Sequence, residues 1–420
     1  MKTCRPLNRN FILLISGQAT SLLGNFTLKF ALSMYVLEQT GSASVFAGIL
    51  AAATLPTILL SPFGGILADR ANRRNIMAAL DLLSGLAVLF TVLLLPLGKD
   101  IPIVTALLII LSVLAAFESP TVQACIPQML SGDALLKGNA AVNQVAAIAS
   151  LVTPFLGSLF YTAFGLRPVL SAAAACFFVT AFFECFIRLD NCKPTEHIRF
   201  RTLVKEDFSA SIHFLCREQP GILKLLLLAA LVSLFVAGVA VVGFPYLVRT
   251  VLALPAAYYG AAESIFGAAA ISGSLYVGLS ARKLRMKHLS AILSIFGICL
   301  IPAGIVFLLP ISAYSRYFVL LAMFFVCQAG CSAFSACALS AIQSRTPAHL
   351  MGKVMAYVFT LSMCAQPLGQ LLYGVLFDRL SDYVYWVLIP TGILVCMIGA
   401  ASAGFFAGLE QTQPSSPGQD

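Results

Sequence analysis

The chain has 420 residues, of which 60% are hydrophobic and only 10% charged, with a mean hydropathy of +0.94. A soluble domain carries about 25% charged residues, so a globule surrounded by water is excluded. The net charge of +9 does not indicate nucleic acid as a partner, because the basic residues cluster at the ends of long apolar runs.

A helix that crosses a bilayer needs about 20 mostly apolar residues. The apolar runs here are continuous rather than alternating with period two, which argues against a β-barrel. Twelve runs predict helices over 11–37, 45–67, 76–97, 103–126, 140–164, 168–187, 222–248, 256–279, 289–309, 317–342, 354–377 and 385–409. The expected class is an all-α membrane protein with twelve transmembrane helices in two six-helix pseudo-repeat halves. The basic start "MKTCRPLNRN" resembles a signal peptide, but the apolar stretch runs far beyond a signal core and reads as a retained first span.

Alternate connections differ in charge. One side holds Lys2, Arg5 and Arg9, then Arg70, Arg73 and Arg74, then Lys137 and the basic central segment through Lys224. It also holds the cluster at 282–287, Arg345 and Lys353, for a total of twenty. The opposite side holds five: Lys99, Arg167, Arg249, Arg316 and Arg379. Positive charge marks the cytoplasmic face. The expected placement is multi-pass in the plasma membrane, with both termini cytoplasmic and anionic lipid as the partner of the basic loops. The expected organisation is an N-terminal half over 1–187 and a C-terminal half over 222–409. Between them, 188–221 reads as a cytoplasmic linker with a short amphipathic helix near 202–216, and 410–420 as a disordered tail. Twelve cysteines without a C-x-x-C pair read as small hydrophobes, with no metal or cofactor implied.

The halves carry matching signals. "GILADRANRR" follows span 2 and "GLSARKLRMK" follows span 8. Span 5 contains "TPFLGSLFY" and span 11 "QPLGQLLY", which pairs Pro154 and Gly157 with Pro367 and Gly369. A parallel repeat of this kind is a transporter feature.

The stretch "GGILADRANRR" resembles the loop 2–3 signature G-x-L-x-D-R-x-G-R-R/K of the major facilitator superfamily. Gly65, Leu67, Asp69, Arg70, Arg73 and Arg74 match it. Asn72 stands where glycine is usual, a mild departure if that backbone is left-handed. In this signature Gly65 would allow close helix approach, and Asp69 would meet a helix N-terminus or an arginine. "GQATSLLGNF", "LPTILLSPFGG", "FESPTVQACIPQML" and "IQSRTPAHLMGKVMA" resemble the branch holding macrolide-efflux and enterobactin-exporter-like proteins. Of the exporter signature G-P-x-x-G-G in span 5, Pro154 and Gly157 stand, and span 4 carries no arginine. The resemblance implies that spans 1, 4, 7 and 10 line a central cavity. It implies export of a hydrophobic or amphipathic small molecule, such as a drug, a macrolide or a siderophore-like compound, with protons as the coupling ion and a monomer as the working unit. Import or lipid flipping on the same fold is the alternative, and an intramembrane enzyme a remote one. No G-x-x-x-x-G-K-[ST] run is present, so this chain does not hydrolyse ATP itself.

Charges inside a membrane are costly, about 2.5–3.5 kcal/mol each on insertion scales, and default to functional candidates. Five occur: Lys29, Asp81, Glu118, Glu184 and Glu263. Glu118, in a cavity-lining span, and Asp81 are the candidates for proton coupling; Asp81 is equally consistent with an interfacial hydrogen bond. Glu184, near the inner end of span 6, reads as reaching the interface. Counting along the spans puts Lys29 and Glu263 in the outer half at similar depth, and Glu118 in the inner half. An ion pair of Lys29 with Glu263 would close the outer mouth; snorkelling or substrate binding by Lys29 are the alternatives. Gln18, Asn25 and Lys29 share one helix face at about 100° per residue. Asn139, Asn143 and Gln144 enter span 5, and Gln328, Gln366 and Gln370 lie in spans 10 and 11. These are candidate substrate contacts, or polar contacts between helices.

Overall fold

The structure, a computed structural model, describes residues 9–70, 72–130, 133–188, 220–280, 288–346 and 351–411. The predicted linker and its amphipathic helix, the basic cluster at 282–287 and most of the tail lie outside the described residues. Among those described there are helices and turns and no strand. The first six helices are α1 (Arg9–Thr40), α2 (Ala43–Arg70), α3 (Arg73–Leu94), α4 (Asp100–Met129), α5 (Asp133–Phe164) and α6 (Leu166–Cys185). The next is α7 (Pro220–Phe235), which continues through π-helical turns over Val236–Gly243 and Leu247–Val251. The last five are α8 (Ala256–Ser280), α9 (His288–Ile305), α10 (Ala313–Arg345), α11 (Met351–Arg379) and α12 (Tyr385–Gln411). Each of the twelve apolar runs has its helix, and ten described helices are long and apolar enough to cross a membrane.

Several helices outrun the prediction. α1 has 32 residues and α10 has 33, about 48 and 50 Å at 1.5 Å per residue. Apolar content marks only the part inside hydrocarbon, and helical hydrogen bonding carries the polar ends further. Tight turns then reverse the chain. Gly41 (φ 60) and Gly165 (φ 76) adopt the left-handed conformation that a side chain resists. Their N–H groups donate to Leu37 O and Tyr161 O, each at 2.8 Å, closing the last turns of α1 and α5.

The chain divides into two compact units. The first is Met1–Ile198 with Pro245–Ser264, so the end of the α7 π region and the start of α8 gather with the first six helices. There α1 packs on α5 and α6, α3 on α6, and α2 on α4. In the second unit α9 packs on α10 and α12, and α11 on α7.

Close approaches are made at glycines. A Cβ at Gly64 would overlap the Ala116 carbonyl of α4, and one at Gly273 would overlap the Ala329 carbonyl of α10. Gly157 lies against α1, where a Cβ would stand 3.4 Å from Thr27 Cα, and Gly369 lies against Leu234 O of α7. The close approach expected at Gly65 is therefore made one residue earlier, because Gly64 is the residue turned toward α4; a Cβ at Gly65 meets open space.

Gly64→Ala should lower the thermal midpoint of the purified protein, since overpacking against fixed backbone costs about 1–3 kcal/mol. Gly65→Ala should be neutral or stabilising, because alanine favours helix by about 1 kcal/mol over glycine. Equal midpoints for the two variants would contradict this packing.

Candidate transport site

The polar face of α1 organises the first unit. Gln18 and Ser21 are buried, and Lys29 is accessible. The Ser21 hydroxyl donates to Asp81 Oδ1 of α3 at 3.1 Å. Glu118 of α4 lies near enough to Lys29 for their charges to interact, and Gln18 Nε2 is buried without a hydrogen-bond partner. From α6, Glu184 packs beside Gly17, one turn of α1 from the Ser21 that bonds Asp81. Two glycines let α6 come this close. A Cβ at Gly17 would stand 3.3 Å from Thr180 Cγ2 and 3.9 Å from Glu184 Cγ, and one at Gly24 would stand 2.9 Å from Cys176 Cβ. The Thr180 hydroxyl closes the contact by donating to Gly17 O at 3.1 Å.

Two expectations change. Glu184 does not reach an interface: it is 1% exposed and lies between α1 and α3. A residue count gives depth along a helix but not the direction a side chain takes. Lys29 has Glu118 as its facing charge, not Glu263. α1 and α4 are long enough that Lys29 and Glu118 each lie only about 5–7 Å from the helix midpoint. Glu263 instead accepts from the Tyr259 hydroxyl one turn away. The ring of Tyr259 stacks on Phe30 at 5.4 Å. Among the described residues no ion pair joins Lys29 to Glu263.

Near the Thr40 end of α1 is a second charged group. Glu38 accepts from Tyr161 of α5 at 2.6 Å and pairs with Arg249, which also donates to Leu254 O. Tyr35 donates to Asp100. Reading Arg249 only as a topology charge missed this site. The acidic residue close to the end of span 1 was the available signal.

The signature between α2 and α3 works through its arginines. Arg73 donates from Nε to Ala68 O at 2.7 Å and from Nη1 to Ala124 O at 2.8 Å, and Arg74 donates to Cys185 O. Cations thus meet carbonyls near the C-terminal ends of α2, α4 and α6, where helix dipoles are negative. The side chains of Asp69 and Arg70 lie outside the described residues, and Leu67 is 40% exposed. Asn72 is not left-handed. Its φ of −68° is extended, and its side chain caps α3 by accepting from Arg74 N at 3.1 Å.

In the second unit a cavity of about 350 Å³ is lined by Gln328 and Gln366 together with Ser233, Cys331, Ser332 and Ser335. The Ser332 hydroxyl lies 2.7 Å from Ser274 Oγ and from Ala270 O. No aromatic ring lines the cavity. Gln370 is buried instead, with Oε1 lacking a donor. Asn139, Asn143 and Gln144 are exposed on α5. Among the described residues no group of three or more His, Cys, Asp or Glu is arranged to hold a metal ion, and the nine described cysteines are free thiols.

Asn72→Ala should cost about 1 kcal/mol of stability through the lost cap, and Asn72→Gly only a few tenths. Denaturant unfolding in detergent measures the difference. A glycine variant less stable than the alanine one would contradict the capping role.

Residues 14–369 match the family model described as Major Facilitator Superfamily. The chain is 23% identical over 391 residues to macrolide efflux protein A of Streptococcus pyogenes, covering 92% of this chain and 94% of that protein. It is 25% identical to the MFS-type transporter YfiS of Bacillus subtilis (strain 168), covering 93% and 91%. Among solved structures it is similar to a bacterial homologue of the iron transporter ferroportin in an inward-facing state. That likeness has a TM-score of 0.70 at 16% identity and covers 94% and 98% of the two chains. The D-xylose-proton symporter gives a TM-score of 0.69 at 15% identity, covering 93% and 96%. With the helical membrane architecture and the family match over most of its length, this chain is a multi-pass membrane transporter belonging to the Major Facilitator Superfamily.

Proposed function

We propose that the chain exports a hydrophobic or amphipathic small molecule of the macrolide class in exchange for protons, working by alternating access as a monomer. This reading is supported by two ionisable side chains of opposite sign in the first unit, Lys29 on α1 and Glu118 on α4, near enough for their charges to interact. A carboxylate beside a lysine changes the local charge when it takes up a proton, and that change is what couples a proton to a conformational step. Span 4 lacks the arginine common in proton antiporters, and Lys29 from span 1 supplies a cation beside Glu118 in its place. The cavity of the second unit, with Gln328 and Gln366, has a volume within the ordinary range for small-molecule sites. The relatives named macrolide efflux protein A align over nearly the whole chain, which supports export over the sugar-proton symport named for one structural neighbour.

Asp81 stands beside Glu118 as the second proton-binding candidate. Arg73 and Arg74 of the signature hold the ends of helices that must shift during the cycle, and Asp69 and Arg70 belong to the same signature. Both termini face the cytoplasm in this reading, with anionic lipid meeting the basic loops.

Purified protein in liposomes tests the coupling. A labelled macrolide should move uphill only when a pH gradient is imposed, and Glu118→Gln should abolish that driven transport while leaving binding intact. Driven transport at the parental rate in Glu118→Gln would place coupling elsewhere. For orientation, a single cysteine placed at 98–101 or 312–315 in a cysteine-free background should react with an impermeant reagent from outside, and one at 195 should not. Reversed labelling would overturn the orientation.

A further inference from the structure

At the Thr40 end of α1 the first unit holds a cavity of about 400 Å³, a size within the ordinary range for small-molecule sites. It lies among helix ends. Tyr35 of α1, Leu95 just after α3, Asp100 at the start of α4, Phe164 at the end of α5 and Arg167 in the first turn of α6 all line it. Two opposite charges face this space without pairing. Among the described residues Arg167 makes no hydrogen bond and no ion pair. Asp100 Oδ2 accepts from the Tyr35 hydroxyl, whereas Asp100 Oδ1 is buried with no donor. A buried acceptor without a donor keeps the whole cost of losing its water. A cation and an anion that share one cavity and leave each other unpaired fit a ligand that carries both signs.

The two ends of the cavity select different groups. The guanidinium of Arg167 is a planar fork of donors that suits phosphate. Gly165 begins α6 and brings no side chain to cap it, so the N–H groups of the first turn and the positive end of the helix dipole favour an anion at the same place. Asp100 Oδ1 needs an N–H or O–H donor. A primary ammonium supplies three such donors, and a quaternary ammonium supplies none. An apolar strip leaves the cavity along α5: Phe164 is exposed and stacks at 6.1 Å on Phe160, which is exposed one turn deeper in the span. That strip suits a ligand with hydrocarbon chains and gives a small water-soluble zwitterion nothing to hold.

We propose that this cavity binds the headgroup of a phospholipid that carries a primary ammonium, of the phosphatidylethanolamine type. The phosphodiester meets Arg167 and the first turn of α6, the ammonium donates to Asp100, and an acyl chain follows Phe164 and Phe160. Such a headgroup is neutral as a whole, so it satisfies both side chains and adds no net charge. An anionic phospholipid without an amine satisfies Arg167 alone, and a choline phospholipid leaves Asp100 Oδ1 without a donor. The lipid joins the ends of α4, α5 and α6. Glu118 stands about 27 Å further along α4 at 1.5 Å per residue, so the lipid site is separate from the proton-coupling residues and does not depend on that reading.

Native mass spectrometry of the purified full chain in detergent reads the first lipid bound. Offered phosphatidylethanolamine and phosphatidylcholine with the same acyl chains, the parent should retain the ethanolamine lipid about tenfold more strongly, the effect of one charge-assisted hydrogen bond. Asp100→Asn keeps the shape and an acceptor for Tyr35, and should bring the two lipids close to equal retention. Arg167→Gln, at an exposed position, should weaken both lipids and leave their ratio unchanged. Glycerophosphoethanolamine, the same headgroup without chains, should not displace the lipid at equal concentration. Equal retention of the two lipids by the parent, a full preference that persists in Asp100→Asn, or unaltered retention in Arg167→Gln would each overturn the site. Displacement by the chain-free headgroup would overturn a lipid as its occupant.

Discussion

Hydrocarbon offers a charge no solvent, so every ionisable group inside the membrane must find its partner in the protein. In the first unit this constraint determines where the chemistry sits. Asp81 of α3 and Glu184 of α6 both pack against α1, at Ser21 and at Gly17 one turn away. The glycines of α1 allow this packing: Gly17 and Gly24 bring α6 to within contact distance, and Glu184 arrives with it. The apolar faces of the same helices are then free to meet lipid or one another. The second unit follows a different plan. It carries no acidic cluster of this kind among its described residues, and its cavity is walled by small side chains, hydroxyls and two glutamines.

The signature between α2 and α3 obeys the same rule at the helix ends. Carbonyls in the last turn of a helix lack intrahelical donors. Arg73 and Arg74 supply donors to α2, α4 and α6 and bring positive charge to their negative ends. A basic loop of this kind therefore clasps three helices. Exchange of those hydrogen bonds is a natural component of any rearrangement of the helices they join.

The number and order of helices were legible in the sequence because each is a continuous apolar run bounded by charge or turn residues. Their ends were not, since polar overhangs such as the first turns of α10 carry no apolar signal. Gln328 and Gln366 were legible as cavity residues because a polar side chain in an apolar run must face protein or water, whereas the serines beside them are too common in membrane helices to stand out. Errors arose wherever direction around a helix mattered. Glu184 was placed by its distance from the loop, yet its orientation toward Gly17 decides its environment. Lys29 was paired with Glu263 by depth, but Glu263 has a closer partner in Tyr259 on its own helix. Asn72 stands where the signature has glycine, and the structure uses its side chain as a cap rather than a left-handed backbone.

The central claim is that proton binding in the first unit and substrate binding are linked. Calorimetric titration of a macrolide into the purified protein, repeated in buffers of different ionisation enthalpy, measures that linkage without any transport assay. The account predicts that binding releases protons at neutral pH, and that Glu118→Gln removes the release. Binding with the same heat in every buffer, and hence no proton exchange, would contradict it.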